Sequence, residues 1–534
     1  MTEYLHIYAN SSIDMEVFFV ELTKKLLHMD RTKCEAAAQV SLEEDINIPD
    51  AKPDVSQIVF ERGEALIDEV RPGTDSVILR GAVLFRVLYQ SSEEGEGLVS
   101  LGGKLPFEEK VMLRGCVSGD TVEVSPVVED LTVGMINSRK LNVASLLTLS
   151  VCVEEIADEF LPTEVSLGEG AEYCKQPMTV TQLAICKKDI FRVKEEASLP
   201  NGFPNGVQIL WDSVTLQDIT FRCVEEQLEV TGDVKLFVLY EGEGEKHPIR
   251  SFETVFHIRG EMECHGCKEG MLSNITYTCG HREVSLVPDT DGEMRNLDLD
   301  LVLDIKLKLY QEEETGIVTD IYSTMSEVTA VDKEGLLCKV LCNVTGKSKV
   351  MSKETIRDGN ILQLLHAEAT VFPEQQTIVG EGVKLQGSIQ VKLLYITGQD
   401  ETPYGHCSAT IPYTYLMDIP AVPEQDLCVV QADIDQLQAA MLDGENVEIK
   451  AMLSFAATVF RKLPIRLIDS LEEAPLLPEK RKSLPGMAIY VVKDGDSLWS
   501  IGKRYYVPVE SLRKINGLEK DELVKGQKIL VMKG

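Results

Sequence analysis

Long apolar runs are missing from this 534-residue chain. None approaches the ~18 consecutive apolar residues a membrane-spanning helix needs, so a spanning role is not expected. The opening stretch, MTEYLHIYANSSIDMEVFFVELTKK, lacks a basic start, a long apolar middle and a small-residue cleavage site, and so does not read as a secretion signal. Positive charge is scarce: 53 Lys and Arg stand against 87 Asp and Glu, a net charge of −34. That balance argues against nucleic acid, which calls for cations facing phosphate, and against general adhesion to anionic membrane. The 13 cysteines are odd in number and follow no framework spacing, so they read as reduced thiols of a cytoplasmic protein. The sequons at Asn10, Asn274 and Asn343 then carry no meaning.

Catalytic constellations are also missing. There is no HExxH and no GxSxG, and none of the eight histidines pairs with a nucleophile. NVTGKS (343–348) ends like a phosphate loop, but Leu341 stands where that loop requires glycine, which leaves a polar turn. Cys264, Cys267, Cys279 and His281 form the one set that could surround a zinc ion. Its C-x-H half is tight, and the corresponding regions of the chain's other copies hold only Cys116 and Cys428, so ordinary thiols are the reading adopted. No metal, cofactor or enzymatic activity is expected.

What is present is repetition. LRGAVLFRVLY (79–89), VTGDVKLFVLY (230–240) and LQGSIQVKLLY (385–395) share a glycine eight residues before a tyrosine: Gly81/Tyr89, Gly232/Tyr240 and Gly387/Tyr395. Between them apolar residues alternate, which marks strands with one buried face. Each is followed by a polar Gly-bearing turn and an aromatic-tagged segment, the order of a hairpin. Each copy then closes on a second alternating run, at 141–153, 297–310 and 447–460. The chain is therefore mainly β, with three tandem β-sandwich-like domains expected at 22–155, 181–325 and 335–470. A proline-rich linker is expected at 472–488.

The last module, 489–533, differs chemically. Residues 487–534 carry nine basic and six acidic side chains, against 44 and 81 in the remainder. AIYVV reads as a strand, and Asp496 or Ser497 as the cap of a helix with Leu498, Ile501 and Tyr505 on one stripe. Pro508 starts a second helix that buries Leu512 and Ile515, NG ends it, and QKILVM returns as a strand. This is a small α+β module of βααβ order. Trp499 lies off the apolar stripe, either packed at the module's edge or exposed as a partner anchor.

Tyr490, GDSL (495–498), Ile501, Leu512, Asn516, Leu518 and Gly526–Gln527 resemble a LysM domain in order and spacing. Gly502 departs from the pattern, which usually has alanine there. The resemblance implies a shallow groove for N-acetylglucosamine chains between two loops, here Gly495, Asp496, Ser497 and Leu498 facing Ile515, Asn516, Gly517 and Leu518. Three β-rich copies followed by one LysM module resemble the SipL family of spore coat morphogenetic proteins, whose repeated unit is the SPOCS domain. That resemblance implies a scaffold in the mother-cell cytoplasm at the forespore surface. It further implies that the scaffold binds the ATPase of the coat's basal layer through its LysM region. A peptidoglycan- or N-acetylglucosamine-binding wall protein is the alternative.

Overall fold

The computed structural model describes residues 21–92, 97–166, 170–244, 247–356, 360–380, 382–399, 402–419, 427–476 and 485–532. The first copy contains β1 (Glu21–Asn47), β2 (Val55–Gly73), β3 (Ser76–Ser91), β4 (Leu98–Met112), β5 (Val122–Asn137) and β6 (Lys140–Ser166). The second contains β7 (Ala171–Ser198), β8 (Gly206–Val224), β9 (Gln227–Gly242), β10 (Ile249–Glu263), β11 (Leu272–Pro288) and β12 (Met294–Ser323). The third contains β13 (Ser326–Thr355), β14 (Ile361–Val379), β15 (Gly382–Thr397), β16 (Tyr404–Asp418), β17 (Leu427–Met441) and β18 (Asn446–Pro475). In every copy two three-stranded antiparallel sheets form, ordered β1-β6-β5 and β2-β3-β4 in the first. They face each other as a sandwich, with Val83, Phe85 and Val87 of one sheet buried against Leu147, Leu149 and Val151 of the other.

The repeated Gly-to-Tyr strand is the middle strand of its sheet in all three copies. Its glycine is required by close approach. The neighbouring strand carries a β-bulge beside it, between Ile67 and Glu69, between Gln217 and Thr220, and between Pro373 and Gln375. A Cβ on Gly81 or Gly387 would collide with the backbone carbonyl of Leu66 or Phe372. On its other side Gly81 pairs with Phe107 and Gly387 with Tyr413, so an aromatic ring covers the missing side chain. In the first two copies the tyrosine is a latch. Tyr89 and Tyr240 are fully buried, and their hydroxyls donate to the carbonyls of Pro53 (3.0 Å) and Pro204 (3.2 Å) in the turns before β2 and β8.

The three sandwiches close into a ring with approximate threefold symmetry. Phe60, Trp211 and His366 occupy one equivalent position, opposite Leu88, Leu239 and Leu394. Phe60 meets Trp211 edge-on at 5.1 Å, and His366 stacks on Phe237 at 3.8 Å. The junctions repeat one contact with different chemistry. Arg86 of the first copy pairs with Asp212 of the second, and Lys392 of the third with Glu61 of the first. At the remaining junction the equivalent residues are Phe237 and Ala367, which cannot form an ion pair, and Phe237 stacks on His366 instead. Because the three contacts differ, the copies are not interchangeable around the ring.

A second layer lies toward the ends of the ribbons β1–β6, β7–β12 and β13–β18. There Leu161, Ile317 and Leu467, equivalent in register, are buried in one cluster with Leu27, Met29, Val180 and Leu337. These ribbons run beyond the limits drawn from sequence, β6 to Ser166 and β18 to Pro475, and residues 477–484 of the expected linker lie outside the described residues.

The terminal module consists of β19 (Met487–Val491), α1 (Leu498–Tyr505), α2 (Val509–Asn516) and β20 (Lys528–Met532), with β19 and β20 antiparallel. Tyr490, Val492, Leu498, Ile501, Val507, Leu512, Ile529 and Val531 make its core.

Candidate groove in the terminal module

The first loop is built around Asp496. Its Oδ2 accepts from the Tyr490 hydroxyl at 2.7 Å and from the Lys493 N–H at 2.7 Å, closing the turn that Gly495 enters with φ +82°. These hydrogen bonds, from Tyr490 first, hold its carboxyl below the usual carboxylate range. Ser497, not Asp496, caps α1. Its hydroxyl accepts from the Ser500 N–H while the Ser500 hydroxyl accepts from the Ser497 N–H, a reciprocal capping box.

The second loop is held by Asn516. Its amide donates to the carbonyls of Leu512 and Leu530, both at 2.8 Å, and accepts from the Leu530 N–H at 2.7 Å. This side chain therefore staples α2 to β20. Gly517, at φ +60°, ends the helix, and the Leu518 N–H returns to the Arg513 carbonyl. Leu498 and Leu518 pack into the same core, which ties the two loops to one body.

The eight groove candidates thus divide. Asp496, Leu498 and Asn516 hold the loops in shape, whereas Gly495, Ser497, Ile515 and Gly517 are exposed and Leu518 is half-buried. The expectation that Ile515 is buried with Leu512 is corrected, since Ile515 is 40% exposed. The following residue, Asn516, takes the inward position, where its amide satisfies both backbone groups of Leu530 in β20. What the loops present is small, uncharged and rich in backbone polar groups, suited to a flat ligand bearing amide groups.

Trp499 is half-buried and faces the body. Its ring packs edge-on to Tyr322 at 4.9 Å, and its indole N–H donates to Asp320 at 2.8 Å. Sequence reasoning did not single out Asp320 or Tyr322. The available signal was that the equivalent positions of the other copies, Glu164 and Ser166 or Ser470 and Glu472, lack the aromatic residue.

Other candidate chemistry is not assembled. Cys264 and Cys267 lie buried in the turn after β10, while Cys279 is exposed on β11 near Arg282. Burial pushes the thiols of Cys264 and Cys267 up to about 11. Among the described residues no group of His, Cys, Asp and Glu is placed to hold a metal ion, and no helix is long and apolar enough to cross a membrane. A cleft of about 920 Å³ lies at the ring's centre, but its charged side chains are largely paired with one another, as in Glu61–Lys392, Glu64–Arg282 and Lys235–Glu253.

Comparison with known proteins agrees with this geometry. The family model described as SipL, SPOCS domain matches residues 54–136, 207–287 and 360–442, and the LysM domain model matches 490–531. Three Bacillus subtilis (strain 168) proteins share similarity with 8% of this chain. The "Putative sporulation-specific glycosylase YdhD" is 47% identical over 45 residues, 11% of its length. The "Probable peptidoglycan endopeptidase LytE" is 51% identical over 45 residues, 13% of its length. The protein YkzQ is 40% identical over 43 residues, 57% of its length. The chain thus spans little of the first two relatives, and no solved structure matches it. SPOCS domains are sporulation modules and LysM domains peptidoglycan-binding ones, and both are binding modules without catalytic machinery. The chain thus carries three SipL-type SPOCS domains, in a ring, followed by one LysM domain, a SipL-like architecture.

Proposed function

We propose that this protein is a non-enzymatic scaffold of spore coat assembly, working in the mother-cell cytoplasm at the forespore surface. In this reading the ring of SPOCS domains is a stiff platform, and the LysM region binds the ATPase of the coat's basal layer. The observation that carries it is architectural. Three copies of one non-catalytic unit are fused into a single closed body, and a module with an open pair of loops follows. Such a body adds no chemistry but sets where a binding module sits relative to the surfaces it joins. Several contacts on one chain also raise the effective concentration of each.

Fluorescent tagging in sporulating cells tests the placement: a ring around the forespore is expected, and diffuse cytoplasmic or wall labelling overturns it. Capture of the coat ATPase by the full chain, lost on deleting residues 487–534, tests the partner. A second reading is supported by the exposed loops and by the LysM-matched stretch shared with LytE. In it the groove holds N-acetylglucosamine chains of peptidoglycan or its precursor. Retention on chitin or peptidoglycan, with no ATPase capture, would favour that reading.

A further inference from the structure

The LysM module rests on the body by one face of α1. Lys503 forms an ion pair with Asp320, and the Trp499 indole N–H donates to the same carboxylate at 2.8 Å. Tyr322 reaches into the module and donates to the carbonyl of Val507 at 2.8 Å. Tyr322 is 3% exposed and Val507 1%, so the contact is dry. A buried hydroxyl in such a place needs a partner, and the module supplies it.

Gly502 makes the fit. A Cβ there would lie 2.7 Å from the Tyr322 hydroxyl and 2.8 Å from the Val507 carbonyl, on the hydrogen bond itself. The departure from alanine seen in the sequence thus coincides with the hollow that receives Tyr322.

The seat belongs to the second copy alone. Asp320 and Tyr322 lie just past a β-bulge in β12, at the end of the β7–β12 ribbon. The bulge recurs in β6 and β18, but Glu164 and Ser166 follow it in one and Ser470 and Glu472 in the other. Neither pair offers an aromatic ring beside a carboxylate. The charges also agree, a basic module meeting an acidic body. The seat leaves the groove loops uncovered, since Gly495, Ser497, Ile515 and Gly517 stay exposed while Gly502 and Val507 are buried.

We propose that the tip of the second SPOCS ribbon is a dedicated docking surface for α1 of the chain's own LysM module, fixing its orientation with the groove outward. A groove ligand then binds the docked module, whereas a partner that requires Trp499 must first lift it away.

Carbodiimide cross-linking of the full chain tests this, because it couples only touching amines and carboxylates. The expected product is an intramolecular Lys503–Asp320 link, identified by mass spectrometry on monomer-sized protein. Tyr322→Ala, on the body side, is expected to cut its yield at least fivefold, shift Trp499 emission to the red and enlarge the scattering radius. Gly502→Ala should do the same from the module's side. Hydrogen exchange across β19 and β20 of Tyr322→Ala should stay as in the wild type, which separates undocking from unfolding. Absence of the link in the wild type, a link found only between molecules, or a yield unchanged in Tyr322→Ala would overturn the proposal.

Discussion

The indole N–H of Trp211, in the second SPOCS domain, donates to the carboxylate of Glu368, in the third, at 2.9 Å. Arg62, from the first, donates to the same oxygen at 3.2 Å, so one carboxylate joins all three domains. Both arginines near the indole, Arg62 and Arg86, also lie over its face, at 5.0 and 5.3 Å from the ring centre. This node, together with the ion pairs and the second apolar layer between copies, makes the body one object.

Glu368 should therefore give the ring a specific acid sensitivity. Burial raises its carboxyl, but hydrogen bonds from His366 and Trp211 and the charge of Arg62 outweigh burial and bring it down to about 2. A depressed folded-state value means stability that is complete above the ordinary carboxylate range and lost as pH falls through about 2. That loss is about 3 kcal/mol between roughly pH 4.5 and 2. Glu368→Gln should cost about 1.5–3 kcal/mol near neutral pH and flatten the acid slope, as read by denaturant melts at several pH values.

The repeated glycine should be intolerant of even one methyl group. Gly81→Ala forces a Cβ onto the Leu66 carbonyl and should cost about 1–3 kcal/mol or more. Gly134→Ala, in an open stretch of β5 with only the Asn142 carbonyl at 4.0 Å, should be neutral or slightly stabilising. Thermal melts of the two variants side by side check this.

Asn516→Ala should destabilise the LysM module rather than simply empty its groove. It strands the Leu530 N–H and two carbonyls, at a cost of about 1–3 kcal/mol for the most buried of them. Faster hydrogen exchange confined to residues 487–532 of the full chain would confirm it. Loss of ligand by this variant would then say nothing about direct contact.

Ile515→Asp is the cleaner probe of the groove, because Ile515 is exposed and not part of the module's core. Exchange protection should stay intact while capture of the groove's ligand falls about tenfold, roughly 1.4 kcal/mol. Parallel capture assays with the coat ATPase and with chitin reveal which ligand is affected.

Much of the architecture was legible because strand periodicity is local. The alternation Val83, Phe85, Val87 and its two copies marked the middle strands, and the Gly–Tyr spacing survived because its ends answer to short-range needs, a bulge beside the glycine and, in the first two copies, a turn for the tyrosine to latch. The LysM loops were legible for the same reason, since cap and turn residues act within a few positions of one another. Phe60, Trp211 and His366 could not be linked in this way. They are chemically unlike, and only the ring brings them together.

By itself the sequence determined that the chain has three alike β-sandwich domains and a terminal βααβ module, because alternation, turn chemistry and caps are decided over a few residues. Only the tertiary structure decided that the sandwiches close on one another through Glu368 and Trp211, and that α1 rests on Tyr322. Those contacts join residues well over a hundred positions apart, and their partners are selected by burial and charge at surfaces that do not exist until each domain has folded.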